Sequence, residues 1–107
     1  IVMTRNKGRV SKDDSLIFTR QTPQRILKDL DSRGYSSAAL IGGAMVNSLF
    51  LSENLVDEVH LTVVPKFFGK GLTLFNQILD INLALMDVSR IDQAHILLCY
   101  KVIKPGP

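Results

Sequence analysis

The feature that most constrains this chain is a change of hydrophobic period around one pair of glycines. Ala38 to Ile41 is a continuous apolar run that leads directly into Gly42-Gly43, after which Met45, Val46, Leu49 and Phe50 recur at helical spacing. A short apolar run closed by a glycine turn and followed by a period of 3.6 predicts a buried strand, a tight turn and a helix. A chain built on that unit needs layers, because a buried strand has both faces covered.

The flanking segments extend the same alternation. Ile1 to Thr4 reads as a short strand running into a polar, basic loop, Arg5 to Asp14, in which Gly8 breaks any continuation. Leu16, Ile17 and Phe18 form a second apolar run. Thr22 before Pro23 is a helix start, since the hydroxyl can cap free N–H groups and proline sits where its absent donor does no harm. Ile26, Leu27 and Leu30 follow at helical spacing, with Gly34 as the stop. Val59, Leu61 and Val63 alternate with His60, Thr62 and Val64 in a strand ending at Pro65. After a loop with Gly69 and Gly71, the runs Leu83 to Val88 and His95 to Ile103 read as an antiparallel hairpin. The expected architecture is α/β: a mixed sheet flanked by helices, with an antiparallel C-terminal hairpin.

Charge and cysteine content narrow the function classes. The apolar stretches are far shorter than the roughly 20 residues that cross a bilayer, so no membrane partner is expected. The single cysteine, Cys99, cannot form an internal disulfide, and a reducing cytoplasm is the expected compartment. The net charge of +3 is concentrated at one end: Arg5, Lys7, Arg9 and Lys12 all precede the first acid, Asp13. Such a cluster suits a phosphate; it equally suits a solvated loop that aids solubility. Nucleic acid is not expected, because no aromatic residue interleaves with these cations and no helix carries them as a stripe.

Two glycines between a strand and a helix let a ligand approach the backbone closely while the helix presents free N–H groups, which suits a diphosphate. The same pair also serves as an ordinary tight turn. The dinucleotide fingerprint G-x-G-x-x-G is not matched, since position 47 is Asn, and no Walker pattern occurs.

The segment Ala39-Leu40-Ile41-Gly42-Gly43-Ala44-Met45-Val46-Asn47-Ser48-Leu49-Phe50-Leu51 resembles the strand, glycine pair and helix that hold the cofactor diphosphate in dihydrofolate reductases. Leu55 to Pro65, with Gly69-Lys70-Gly71 and Leu74-Phe75 behind it, is similar to the signature of riboflavin-biosynthesis reductase domains. In these families a strand ending in Ser or Thr followed by Arg receives the phosphate on the adenosine ribose, and Met3-Thr4-Arg5-Asn6 resembles it. The three segments occur in the family's order. Riboflavin-pathway members usually carry Glu before the glycine pair, where this chain has Ile41, as dihydrofolate reductases often do. The family's first strands and helix would lie before Ile1, so the expected unit is one reductase-like domain over 1–107 lacking its N-terminal strands and helix.

The resemblance implies a dihydrofolate-reductase-like fold and an NADPH-dependent oxidoreductase passing hydride to a pteridine, pyrimidine or ribosylamino-pyrimidine. It implies that Thr4, Arg5 and Asn6 hold the adenosine-side phosphate and that Gly42, Gly43, Ala44 and Met45 offer N–H groups to the diphosphate. It also implies a homodimer with a small-molecule substrate. The other reading is a truncated, inactive nucleotide-binding or assembly module of the same fold. No catalytic acid can be assigned. His60 and His95 lack a third ligand at metal spacing, so no metal is expected, and Cys99 reads as an inert thiol in a strand. Asp57 and Glu58 resemble the family's acidic pair but also fit a solvated turn. Lys70, between two glycines, could meet a substrate phosphate or simply occupy an exposed loop.

Overall fold

The computed structural model describes residues 1–4 and 17–105, and the chain divides into two compact units, Ile1–Ile41 and Gly42–Pro107. In the first unit, β1 (Val2–Met3) and β2 (Phe18–Thr19) pair in parallel, with Val2 opposite Phe18 and Met3 opposite Thr19. Helix α1 (Pro23–Ser32) follows for the local reasons written in its ends. Thr22 is the N-cap, and its hydroxyl accepts the Arg25 N–H at 3.3 Å. At the other end Gly34 takes φ +90° while its N–H reaches the Asp31 carbonyl and the Tyr35 N–H reaches that of Leu30. That pair of bonds is a Schellman cap, which needs a left-handed residue where glycine stands. Pro23 and Ile26 are the buried residues of α1.

The strand expected over Ala38 to Ile41 is not formed. These residues join no ladder and are exposed, Ile41 at 96%. An apolar run supplies the hydrophobicity of a buried strand but not the neighbours, and no described strand pairs with this one.

The second unit contains α2 (Ala44–Ser52), β3 (Glu58–Val63), β4 (Asn82–Arg90) and β5 (Ile96–Ile103). Helix α2 ends as α1 does: Asn54 adopts φ 58°, its N–H bonds to the Leu51 carbonyl and the Leu55 N–H bonds to that of Phe50. Asparagine replaces glycine at this left-handed position because its short amide tolerates the conformation. The helix lies where the sequence places it, but its buried residues are Ser48, Phe50 and Leu51, while Met45 and Leu49 are exposed.

The three strands form an antiparallel sheet in the order β3-β5-β4. The expected hairpin is therefore present, with Val88 opposite Leu98 and Leu83 opposite Val102, and β3 adds to the far side of β5 through Leu61 opposite Leu98. Between the pairs Leu85–Tyr100 and Asp87–Cys99, β4 holds one residue more than β5, so Met86 is a bulge. The bulge lets Leu85 and Val88 share one face with Val59, Leu61, Leu98 and Tyr100, while Glu58, His60, Thr62 and Asp87 lie on the other. The expected α/β class is present: pairing is parallel between β1 and β2 and antiparallel in β3-β5-β4, and two helices accompany these strands. No helix among the described residues is long and apolar enough to cross a membrane.

Two polar contacts close the sheet's ends. The hairpin turn is organised by Asp92, whose Oδ1 accepts the N–H groups of Ala94 at 2.8 Å and His95 at 2.9 Å, with His95 Nδ1 a further 2.8 Å contact. These donors, the Ala94 N–H foremost, stabilise the ionised carboxylate and lower the Asp92 pKa. At the opposite end Lys104 Nζ meets Asp57 Oδ1 at 2.7 Å, and the Val102 N–H extends the ladder to the Asp57 carbonyl.

Candidate functional site

The glycine pair lies at the N-terminus of α2, and the two glycines differ in what they require. Gly42 has φ +110°, a conformation L side chains rarely adopt, so glycine is needed there for the backbone itself. Gly43 is the helix N-cap with φ −75° and ψ −157°, an extended conformation that does not call for glycine. A β-carbon at Gly43 would meet nothing within 4 Å. The Gly42–Gly43 peptide is cis.

This arrangement leaves a helix end free. The first helical bond runs from the Asn47 N–H to the Gly43 carbonyl, so the N–H groups of Ala44, Met45 and Val46 precede the intrahelical ladder. Among the described residues no side chain makes a cap hydrogen bond there. Uncapped first-turn donors carry the positive end of the helix dipole, and a glycine N-cap without side chain leaves room for an anion to reach them. Gly43 and Met45 are exposed, and Gly42 and Ala44 half-buried.

Of the residues expected at the adenosine-side phosphate, Thr4 is half-buried at the end of β1, its N–H bonded to the Thr19 carbonyl at 2.7 Å. Arg5 and Asn6 lie outside the described residues, as do Lys7, Arg9 and Lys12.

The remaining sequence candidates have local partners. His60 Nε2 is 3.1 Å from Glu58 Oε1, on the same strand face, and His95 belongs to the Asp92 turn. Among the described residues no group of three histidines, cysteines or acids could hold a metal ion. Cys99 is half-buried. Asp57 pairs with Lys104, and Lys70 is exposed in the loop after β3.

The structure also shows polar residues that the sequence reading passed over. Asn47 Nδ2 donates to the Leu74 carbonyl at 3.1 Å. The Asn76 N–H donates to Ser48 Oγ at 3.0 Å, and Gln77 Nε2 to the Ser48 carbonyl at 3.1 Å. The available signal was the Asn47-Ser48 pair inside an otherwise apolar helix, since a polar residue on a buried helix face must find partners.

Known proteins resemble this chain in sequence and in fold. A riboflavin biosynthesis protein from Shewanella sp. PV-4 superposes with a TM-score of 0.82 at 21% identity, covering 96% of this chain and 59% of its own, a likeness of fold. A pyrimidine reductase-like protein from Corynebacterium diphtheriae gives a TM-score of 0.69 at 30% identity, covering 82% of this chain and 38% of its own. The Bacillus subtilis (strain 168) protein YwjB is 27% identical over 67 residues, which are 63% of this chain and 38% of that protein. This chain therefore spans between 38% and 59% of the length of these relatives. The model of the RibD C-terminal domain, a reductase family, matches residues 1–97, and this chain belongs to that family.

Proposed function

We propose that this chain is the dinucleotide-binding part of an NADPH-dependent reductase acting on a pteridine, pyrimidine or ribosylamino-pyrimidine. The observation that carries the reading is the open glycine turn: Gly42 at φ +110°, an exposed Gly43 N-cap and a first helical turn without a side-chain cap among the described residues. Membership of the RibD C-terminal family and likeness to a pyrimidine reductase-like protein support the substrate class.

In this reading the N–H groups at Gly43, Ala44 and Met45 bind the diphosphate by charge-assisted hydrogen bonds. Gly42 supplies the backbone angle that turns the chain there. Thr4, Arg5 and Asn6 receive the phosphate on the adenosine ribose. The nicotinamide supplies the hydride when bound, and this chain's residues fix the other end of the dinucleotide.

The test is thermal unfolding with and without NADPH. A ligand at a hundred times its Kd adds about 2.7 kcal/mol to stability, which raises the midpoint measurably. An unchanged midpoint at millimolar NADPH would remove the reading.

A further inference from the structure

The three bonds from the loop after β3 end on adjacent residues of one helix. Asn47 holds the Leu74 carbonyl, and Ser48 holds Asn76 and Gln77 through its hydroxyl and its carbonyl. Ser48 is 2% exposed, so its contacts are not shared with water. Asn47 has a second neighbour: a β-carbon on Gly42 would lie 3.8 Å from Asn47 Nδ2 and 4.0 Å from its Oδ1. Its own N–H closes the first turn of α2 on the Gly43 carbonyl. One side-chain amide therefore lies against the glycine turn and carries the loop as well.

The loop it carries has few fixed points of its own. Between Pro65 and Leu74 it contains Gly69 at φ +75° and Gly71, and the side chains of Phe67 and Leu72 are fully exposed. Local order within a segment follows from buried apolar contacts, and these two residues supply none. Its geometry is set where it is anchored, and Asn47 is an anchor that also feels the turn.

We propose that Asn47 is a positioning residue that couples occupancy of the Gly42–Gly43 turn to the conformation of the 65–74 loop. The proposal rests on the cofactor reading above. An anion drawn onto the first-turn N–H groups shifts the turn and the N-terminus of α2, and Asn47 passes that shift to the Leu74 carbonyl. The loop then takes a different conformation when the dinucleotide is in place.

Amide exchange in the intact protein, followed residue by residue with and without saturating NADPH, tests this. The expected result is that NADPH slows exchange at residues 43–46 and also in the 66–74 loop, the latter by about fivefold or more, the lower end of ordinary coupling between sites. Asn47→Leu keeps the bulk but removes the donor, and Asn47→Ala is a second variant that keeps the helix even if the larger side chain disturbs packing. In both, residues 43–46 should still respond to NADPH while the loop no longer does. A role in fold stability alone would alter basal exchange without abolishing this response. A loop in the parent that ignores NADPH while 43–46 respond overturns the coupling and leaves the cofactor reading standing. A loop that responds equally in the variants also overturns it. No response anywhere in the parent removes both.

Discussion

The two glycines of the turn offer a test in which backbone strain and ligand access separate. Gly42→Ala places a β-carbon at φ +110°, outside even the left-handed helical basin that some L residues tolerate. Holding a residue in such a region costs on the order of 1–3 kcal/mol. Space is not the obstacle, since the nearest atoms to that carbon would be the Asn47 amide at 3.8 and 4.0 Å, ordinary contact distances. Gly43→Ala behaves differently. Its φ of −75° and ψ of −157° suit alanine, and the new carbon meets nothing within 4 Å. Restricting the unfolded chain should gain about 0.4–1 kcal/mol, and exchanging a glycine N-cap for the poorer alanine loses a similar amount. The free variant should therefore unfold within about 0.5 kcal/mol of the parent, whereas Gly42→Ala should lower the midpoint by roughly 4–8 °C per kcal/mol lost. Titration of NADPH into Gly43→Ala then reads ligand access alone. Loss of a charge-assisted contact is worth about 1.5–3 kcal/mol, a weakening of about ten- to a hundredfold. Equal stability of parent and Gly42→Ala would refute the strain argument, and unchanged NADPH affinity in Gly43→Ala would move the diphosphate elsewhere.

Asn54→Ala, at φ 58° in the cap of α2, should destabilise by about 1–2 kcal/mol while Asn54→Gly costs nothing, as chemical denaturation of the two variants will show. The Asp92 pKa is lowered in the fold, so its contribution to stability is fully present above the ordinary carboxylate range and disappears as pH falls through the folded value. The midpoint difference between parent and Asp92→Ala should therefore shrink on acidification; a difference that is constant down to pH 2 contradicts the carboxylate's role. Arg5→Ala should weaken NADPH about ten- to a hundredfold and leave NADH nearly unchanged, because only the former carries the 2′-phosphate that a guanidinium fork would bind. Calorimetric titration of both nucleotides decides it, and equal affinities of the parent for the two count against the assignment.

What the sequence reveals about the fold follows how local each cause is. Thr22-Pro23 and Gly34 bound α1 because a cap and a left-handed stop are decided within four residues of chain. The hairpin is legible because alternation on β4 and β5 reports a two-sided sheet. The Met86 bulge is not, since the extra residue is defined only by what stands opposite. The run Ala38 to Ile41 fails for the same reason: four apolar residues describe a strand's composition, while its existence depends on ladder partners elsewhere. In α2, Met45, Val46, Leu49, Phe50 and Leu51 leave apolar residues on nearly every side, so periodicity picks no single face.

The site divides along the same line. That Gly42-Gly43 opens a helix is visible from residue types, because helical spacing of apolar residues begins directly after the pair. Which glycine bears the positive φ depends on the path of the backbone, and the structure assigns it to Gly42 alone. The buried face of α2 is marked by its polar residue rather than its apolar ones. Ser48 is the most buried side chain of the helix because the Asn76 N–H and the Gln77 amide need acceptors, and the helix offers a hydroxyl and a carbonyl at one position. A serine in an apolar helix would otherwise weaken it, since an unmatched buried hydroxyl costs more than the bond returns. Its placement is explained only by a loop almost thirty residues further along the chain, and the same loop reaches Asn47, which faces the turn. Asn47 and Ser48 therefore meet two demands at once, a place in the first turns of α2 and attachment of the loop.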